Sequence, residues 1–240
     1  LRTSKSKMGE CMKVLVIGSG GRDHTIAWKF LQSPRVKKIY VAHGNAGISQ
    51  MVECVNARSI EEMLAFAAKE SIDLTFVGPE SPLSAGIVDL FEKEGLDIVG
   101  PSQAASRLES SKCYAKEIMR DLGIPVADFE IFDDPDSARD YVRSVGYPVV
   151  VKADGLAAGK GSLVCDDVAQ AEDAVHLLME KRIFGDSGSK VEIERRLYGR
   201  ELSFFCFTDG NSVMPMVAAQ DYKRARDDDE GKNTGGMGAY

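Results

Sequence analysis

The chain has 240 residues, enough for one large domain or two smaller ones with real cores. A formal net charge of -7 argues against a general nucleic-acid binder, which carries a basic face. No apolar run approaches the ~20 residues that span a bilayer, and five scattered cysteines without a C-x-x-C pair suit a reducing cytoplasm and offer no zinc site.

Residues 1–11 are polar and basic and lack the apolar core of a signal peptide, so they read as a flexible extension outside the fold. Apolar runs then alternate with helical periodicity. Strands are expected over 13–17, 38–41, 73–77 and 97–99, and helices over 25–32, 59–69 and 85–94. Ser59 precedes Glu61 and Glu62, which makes it a plausible helix cap. Such alternation implies βαβ units and a parallel sheet, whose ligands sit at the carboxyl ends of the strands. Those ends run into Gly18-Ser19-Gly20-Gly21, Gly44-Asn45-Ala46-Gly47, Gly78-Pro79-Glu80 and Gly100-Pro101-Ser102, so a crevice lined by backbone is expected.

A helix over 110–122 leads to a change of pattern. Strands over 129–132, 149–153 and 162–165 with helices over 137–145 and 169–181 make a small α+β module. Antiparallel strands follow over 190–197, 202–208 and 212–219, the last two turned by Asp209-Gly210. The chain stops in the glycine-rich run GGMGAY, which reads as a loop with no closing element and hence as a piece of a longer protein.

The stretch PVVVKADGLAAGKG carries the most chemistry. A buried strand delivers Lys152 into a loop with Gly155, Gly159 and Gly161, where Lys160 also sits. Glycines let backbone N–H groups approach an anion closely. Alone, the string suits a hairpin with two solvated lysines equally well. Spacing excludes a P-loop, because three residues rather than four separate Gly155 from Gly159-Lys160 and no Ser or Thr follows. A dinucleotide fingerprint at Gly18 fails too, since its last glycine is Asp23. Lys112 opens a helix where its charge could meet a phosphate. Near Glu194-Arg195-Arg196-Leu197 a strand edge becoming a loop can offer one carbonyl and one N–H to adenine, and Glu201 can accept ribose hydroxyls. Alone, Glu201 is better read as a solvated surface acid.

Together Lys112, Lys152 with ADGLAAGKG, and the E-x-x-L-x-G-x-E stretch from Glu194 to Glu201 resemble the ATP-grasp enzymes. The strings at 18–24, 44–47, 77–80, 220–224 and 233–238 narrow the resemblance to the glycinamide ribonucleotide synthetase family. It covers Met12 to Tyr240. The resemblance implies an α/β fold: a Rossmann-like parallel-sheet substrate domain over 12–110, and a lid over 129–196. The large ATP-grasp subdomain would take residues 111–128 and 197–240, truncated at its start.

It also implies ATP-dependent ligation of glycine to 5-phosphoribosylamine through glycyl phosphate, in purine biosynthesis. Lys112 and Lys152 would contact the α- and β-phosphates, and the loop with Gly155, Leu156, Gly159, Lys160 and Gly161 would fold over them. The Arg195 carbonyl and Leu197 N–H beside Glu194 would hold adenine, and Glu201 the ribose. Gly20, Gly21, Pro79, Glu80, Asp221, Lys223, Asn233, Thr234, Gly235, Gly236, Met237 and Gly238 would line the small-molecule site. No side-chain nucleophile is implied, and the ligands for Mg2+ are expected beyond residue 240. The piece alone is expected to be inactive, and fusion to further purine-pathway domains stays open. A non-catalytic nucleotide-binding module and another ATP-grasp ligase are the alternatives. Where the family has Glu, Pro and Glu, this chain has Asp23, His43 and Arg195. If position 195 serves only through its carbonyl, the arginine side chain is expected to face solvent.

Overall fold

The computed structural model describes residues 11–157 and 160–240, and the described chain divides into two compact units on either side of Leu108 and Glu109. In the first, β1 (Met12–Gly18) leads to α1 (Gly21–Leu31), β2 (Val36–His43), β3 (Glu53–Val55) and α2 (Ile60–Glu70). Then come β4 (Leu74–Val77), α3 (Glu80–Ser84), α4 (Ile87–Lys93), β5 (Ile98–Val99) and α5 (Gln103–Ser110). All five strands are parallel, in the order β3-β2-β1-β4-β5.

Strand alternation divides the core of this unit between the two sheet faces. Leu15, Ile17, Tyr40 and Ala42 pack with Met63 of α2 and Phe91 of α4, while Val14, Val16, Ile39 and Val41 pack with Ala27 of α1. Covered on both faces, β1 reads as a continuous apolar run. Ser59 caps α2 as expected: its side chain accepts from the Glu62 N–H, and Glu62 reaches back to the Ser59 N–H. The helix expected over 85–94 is α4, begun at Ile87 because Gly86 takes φ +87° as its N-cap, and the short α3 before it was not expected. The short β3 and the separate α5 lack a clear periodic signal and were not expected.

The second unit holds α6 (Lys112–Asp121), β6 (Phe129–Phe132), α7 (Pro135–Ser144), β7 (Val149–Ala153), β8 (Ser162–Cys165), α8 (Val168–Val175) and β9 (Val191–Arg195). Its antiparallel sheet has the order β6-β9-β7-β8. One face is apolar: Val149, Val151, Ala153, Val191 and Ile193 meet Ala138 and Val142 of α7 and Ala171, Ala174 and Val175 of α8. After Val175 the helix continues as a π turn, His176–Glu180.

Beyond it, β10 (Cys206–Thr208) pairs with β11 (Val213–Pro215), and β12 (Asp221–Arg226) pairs with β13 (Glu230–Ala239). The run GGMGAY, expected as a glycine loop, lies inside β13 up to Ala239 instead. Ladder bonds use backbone groups, so glycine does not prevent pairing, and the register shifts between Tyr222 and Arg226 leave the extra residues on the β13 side. No described helix is long and apolar enough to cross a membrane.

Candidate functional site

In the first unit the strand order reverses at β1, and the exits of β1, β2 and β4 come together there, as the glycine runs predicted. The Gly44 N–H donates to the Gly18 carbonyl (3.2 Å) and the Gly78 N–H to that of Ile17 (3.0 Å). Asn45 donates to the Ser19 carbonyl (2.8 Å) and accepts from the N–H groups of Gly47 and Ile48 (2.9 Å each). Asp23 is buried and accepts from the Gly20 N–H at 2.8 Å, while its other oxygen has no hydrogen-bond partner. The loop with Gly20 and Gly21 is tied to the one with Pro79 and Glu80 by Arg22, which pairs with Glu80 at 3.0 Å. Burial opposes ionisation of Glu80, yet its own backbone N–H and Arg22 hold the carboxyl below the usual range.

In the second unit the chemistry lies on the sheet face opposite the apolar core. Lys152 of β7 stands beside Glu192 of β9, and Glu194 follows on the same face two residues on. Helix α6 adds Lys116, whose Nζ is 2.6 Å from Glu194 Oε2 and 3.5 Å from Glu192 Oε1. Lys152 pairs with Glu194 Oε1 and stands 3.9 Å from Glu192 Oε1. Glu192 is fully buried, and neither of its oxygens accepts a hydrogen bond.

The two acids diverge for physical reasons. Burial pushes the Glu192 carboxyl up to about 7 against the pull of Lys152, and the neighbouring Glu194 carboxylate adds to the rise. Burial acts on Glu194 as well, but Lys152 and hydrogen bonds from Lys116 and Lys152 hold it below the usual range. For Lys116, burial works against the charge and the two carboxylates overcome it, raising its pKa.

The loop after β7 is fastened to the start of α6. The Ser111 hydroxyl and the Cys113 N–H both donate to Asp154 Oδ1, at 2.9 and 2.8 Å. The Lys112 ammonium donates to the Gly155 carbonyl at 2.9 Å. The Ala153 N–H donates to the Gly161 carbonyl at 2.8 Å, closing the base of the loop that holds Leu156 and Lys160. Gly159 lies outside the described residues. Lys112, Lys152, Gly155 and Glu194 therefore belong to one neighbourhood, as the motif predicted.

A third cluster surrounds a cavity of about 660 Å³ lined by Glu201, Asp221, Lys223 and Met237, with Arg200, Arg224 and Arg226. Lys223 Nζ is 2.6 Å from Glu201 and 3.8 Å from Asp221. The Glu201 hydrogen bond is the main reason the Lys223 pKa is raised. Thr234 donates to the Lys223 carbonyl at 2.9 Å and accepts from the Gly236 N–H at 3.1 Å. Asn233, Gly235 and Gly238 follow the same β13 ladder. Glu201 is thus paired rather than a free surface acid.

The family model for the phosphoribosylglycinamide synthetase N domain matches residues 12–109, and that for its ATP-grasp (A) domain matches 110–240. The chain belongs to the phosphoribosylglycinamide synthetase family. Among relatives, the phosphoribosylamine–glycine ligase of Halalkalibacterium halodurans is 52% identical over 231 residues, covering 95% of this chain and 54% of that protein. The Caldanaerobacter subterraneus ligase is 51% identical over 230 residues, covering 95% and 55%. A crystal structure of the Thermotoga maritima phosphoribosylamine–glycine ligase superposes with a TM-score of 0.78 at 32% identity, over 95% of this chain and 55% of that one. A biotin carboxylase domain from Hydrogenobacter thermophilus shares the fold at a TM-score of 0.71 and 16% identity, over 89% and 51%. The chain spans about half the length of the curated relatives it matches.

For this family member, three residues of the Lys152 neighbourhood escaped motif reading: Lys116, Asp154 and Glu192. Asp154 stands inside the ADG string and could have been found as a loop acid. Lys116 lies one helical turn beyond Lys112, on the same face. Glu192 gives a signal only through strand alternation, two residues before Glu194. Arg195 is exposed, and its side chain also makes contacts that the sequence did not show. It sets its guanidinium 5.0 Å from the centre of the Tyr147 ring and 3.8 Å from Asp128. Its backbone N–H donates to the Asp128 carbonyl at 2.8 Å. Leu197 is exposed just beyond β9.

Proposed function

We propose that the protein containing this chain joins glycine to 5-phosphoribosylamine at the expense of ATP. The observation that carries the reading is a family-matched chain in which the Lys112 ammonium meets the Gly155 carbonyl and Lys152, three residues before Gly155, pairs with Glu194. Relatives about 50% identical bear the name of that ligase, which supports the choice of substrates.

In this reading the glycine carboxylate accepts the γ-phosphoryl group, giving glycyl phosphate and ADP, and the amine of phosphoribosylamine then displaces phosphate to form the amide. Phosphoryl transfer asks mainly for positioning and charge neutralisation. Lys152 and Lys112 serve the phosphates, the Arg195 carbonyl and Leu197 N–H serve adenine, and Glu201 serves the ribose. Residues 129–196 act as the lid that keeps water from the acyl phosphate. Gly20, Gly21, Pro79 and Glu80, with Asp221, Lys223 and the strand Asn233–Gly238, serve glycine and phosphoribosylamine.

Among the described residues no three His, Cys, Asp or Glu side chains gather as a metal site. The unpaired state of all five cysteines suits a cytoplasmic setting.

The test is ADP release by the full-length protein, with glycine and phosphoribosylamine supplied together and separately. Release that requires both is the expected result. Release indifferent to either substrate would remove the ligase reading, and nucleotide binding without turnover would favour a binding module.

A further inference from the structure

Glu192 has no part in the motif, yet it is the most deeply buried member of the charged cluster, and both its oxygens lack a hydrogen bond. A carboxylate so placed carries a large desolvation cost, which only neighbouring cations relieve. The groups that face it are Lys152 from β7, Glu194 from its own strand, and Lys116 and the Cys113 thiol from α6. On β6 its partner is Ile131, which cannot titrate. Two ammonium groups thus serve two carboxylates, and with both acids ionised the cluster is neutral.

A phosphate arriving at Lys152 upsets that balance. It must draw Lys152 away from Glu194, and it adds negative charge beside two acids that then share Lys116. Glu194 keeps its 2.6 Å contact with Lys116, whereas Glu192 has only the longer one of 3.5 Å. Glu192 is therefore the acid that gives way.

We propose that Glu192 takes up a proton when a nucleotide phosphate seats on Lys152, so that anion binding at this sheet face is coupled to proton binding. The inference rests on the ATP-site reading above. The proton comes from solvent or buffer, an O–H bond forms at the Glu192 carboxyl, and no other bond changes. The neutral acid also becomes a donor, able to give its O–H to Glu194 on the same face.

The experiment is calorimetric binding of ADP to the full-length protein at pH 8, where ADP itself is ionised, in buffers of different ionisation enthalpy. The wild type is expected to take up roughly one proton per ADP, and Glu192→Gln to bind ADP with the uptake abolished. Binding with heats independent of buffer would overturn the proton coupling and leave the ATP site intact. Uptake unchanged in Glu192→Gln would overturn the assignment to Glu192. Absence of ADP binding would remove the ATP reading and this proposal with it. A difference infrared spectrum of the wild type supplies a readout that needs no variant. A carboxylate band should be lost and a protonated carboxyl band gained on ADP addition, and an unchanged carboxyl region would contradict the proposal.

Discussion

The two sheets place their polar groups by opposite rules. In the parallel sheet both faces are apolar and covered by helices, so nothing but the strand ends is left for chemistry, and those ends are glycine turns. In the antiparallel sheet one face is given to the core and the other to charge, so Lys152, Glu192 and Glu194 stand in the middle of the sheet. A parallel βαβ sheet recognises with backbone, and a half-covered antiparallel sheet recognises with side chains. The difference also sets fragility. The glycine exits tolerate changes of charge but not of bulk, and the charged face tolerates changes of bulk but not of balance.

The charged face should yield the largest stability effect. Glu194→Ala removes the acid shared by Lys116 and Lys152, leaving two largely buried ammonium-bearing side chains with the fully buried Glu192 alone. A loss of about 3–5 kcal/mol is expected in urea unfolding. A loss below about 1 kcal/mol, the range of surface pairs, would show that this face is effectively solvated.

Next in size is the pH dependence of that face. The Glu192 pKa lies near 7 in the folded chain against an ordinary 4.5, so folding favours its protonated form. Its contribution is complete below pH 4.5 and is lost as pH rises through 7, amounting to about 3 kcal/mol. Glu194 is shifted the other way, and its contribution is already complete above pH 4.5. Between pH 5 and pH 8 the wild type should therefore lose stability, and Glu192→Gln should lose much less. Parallel curves would place the pH dependence elsewhere.

At the parallel sheet, Gly78→Ala sharpens the comparison from the other side. A methyl there would run into the buried Asp23 carboxylate and lie 3.3 Å from the Ile17 carbonyl. The expected cost is about 1–3 kcal/mol, and it should shrink in an Asp23→Ala background. The same cost in both backgrounds would mean that the backbone, not Asp23, resists the methyl.

Arg195→Glu should matter least. It gives up an exposed contact with Asp128 and the Tyr147 ring, together worth about 1 kcal/mol. The KM for ATP of the full-length protein should shift only modestly. A tenfold gain in the ATP:GTP ratio of kcat/KM would mean that the side chain at position 195 reads adenine.

The same contrast explains what was legible in the sequence. Backbone sites announce themselves, because glycines at strand ends and the ADGLAAGKG string are contiguous, and Ser59 with Glu62 forms a contiguous cap. The charged face does so only in part: the motif strings carry Lys152 and Glu194, but Lys116 comes from another element, and nothing local in Glu192 separates it from a surface acid. The loop expected at GGMGAY failed for a related reason. Its composition speaks of a loop, but its pairing with β12 is decided by backbone ladder bonds at a distance in sequence. The start of α4 at Ile87 turns on one left-handed residue, Gly86, that periodicity does not register.

The central claim is that the charged sheet face, through Lys152, holds nucleotide phosphate. Equilibrium binding of ADP to the full-length protein tests it most directly, with Lys152→Met set against Lys181→Met, an exposed lysine just past the π turn. A charge-assisted phosphate contact contributes about 1.5–3 kcal/mol, so Lys152→Met should weaken binding by about tenfold or more, with Lys181→Met unchanged. Equal affinity in the two variants would contradict the claim.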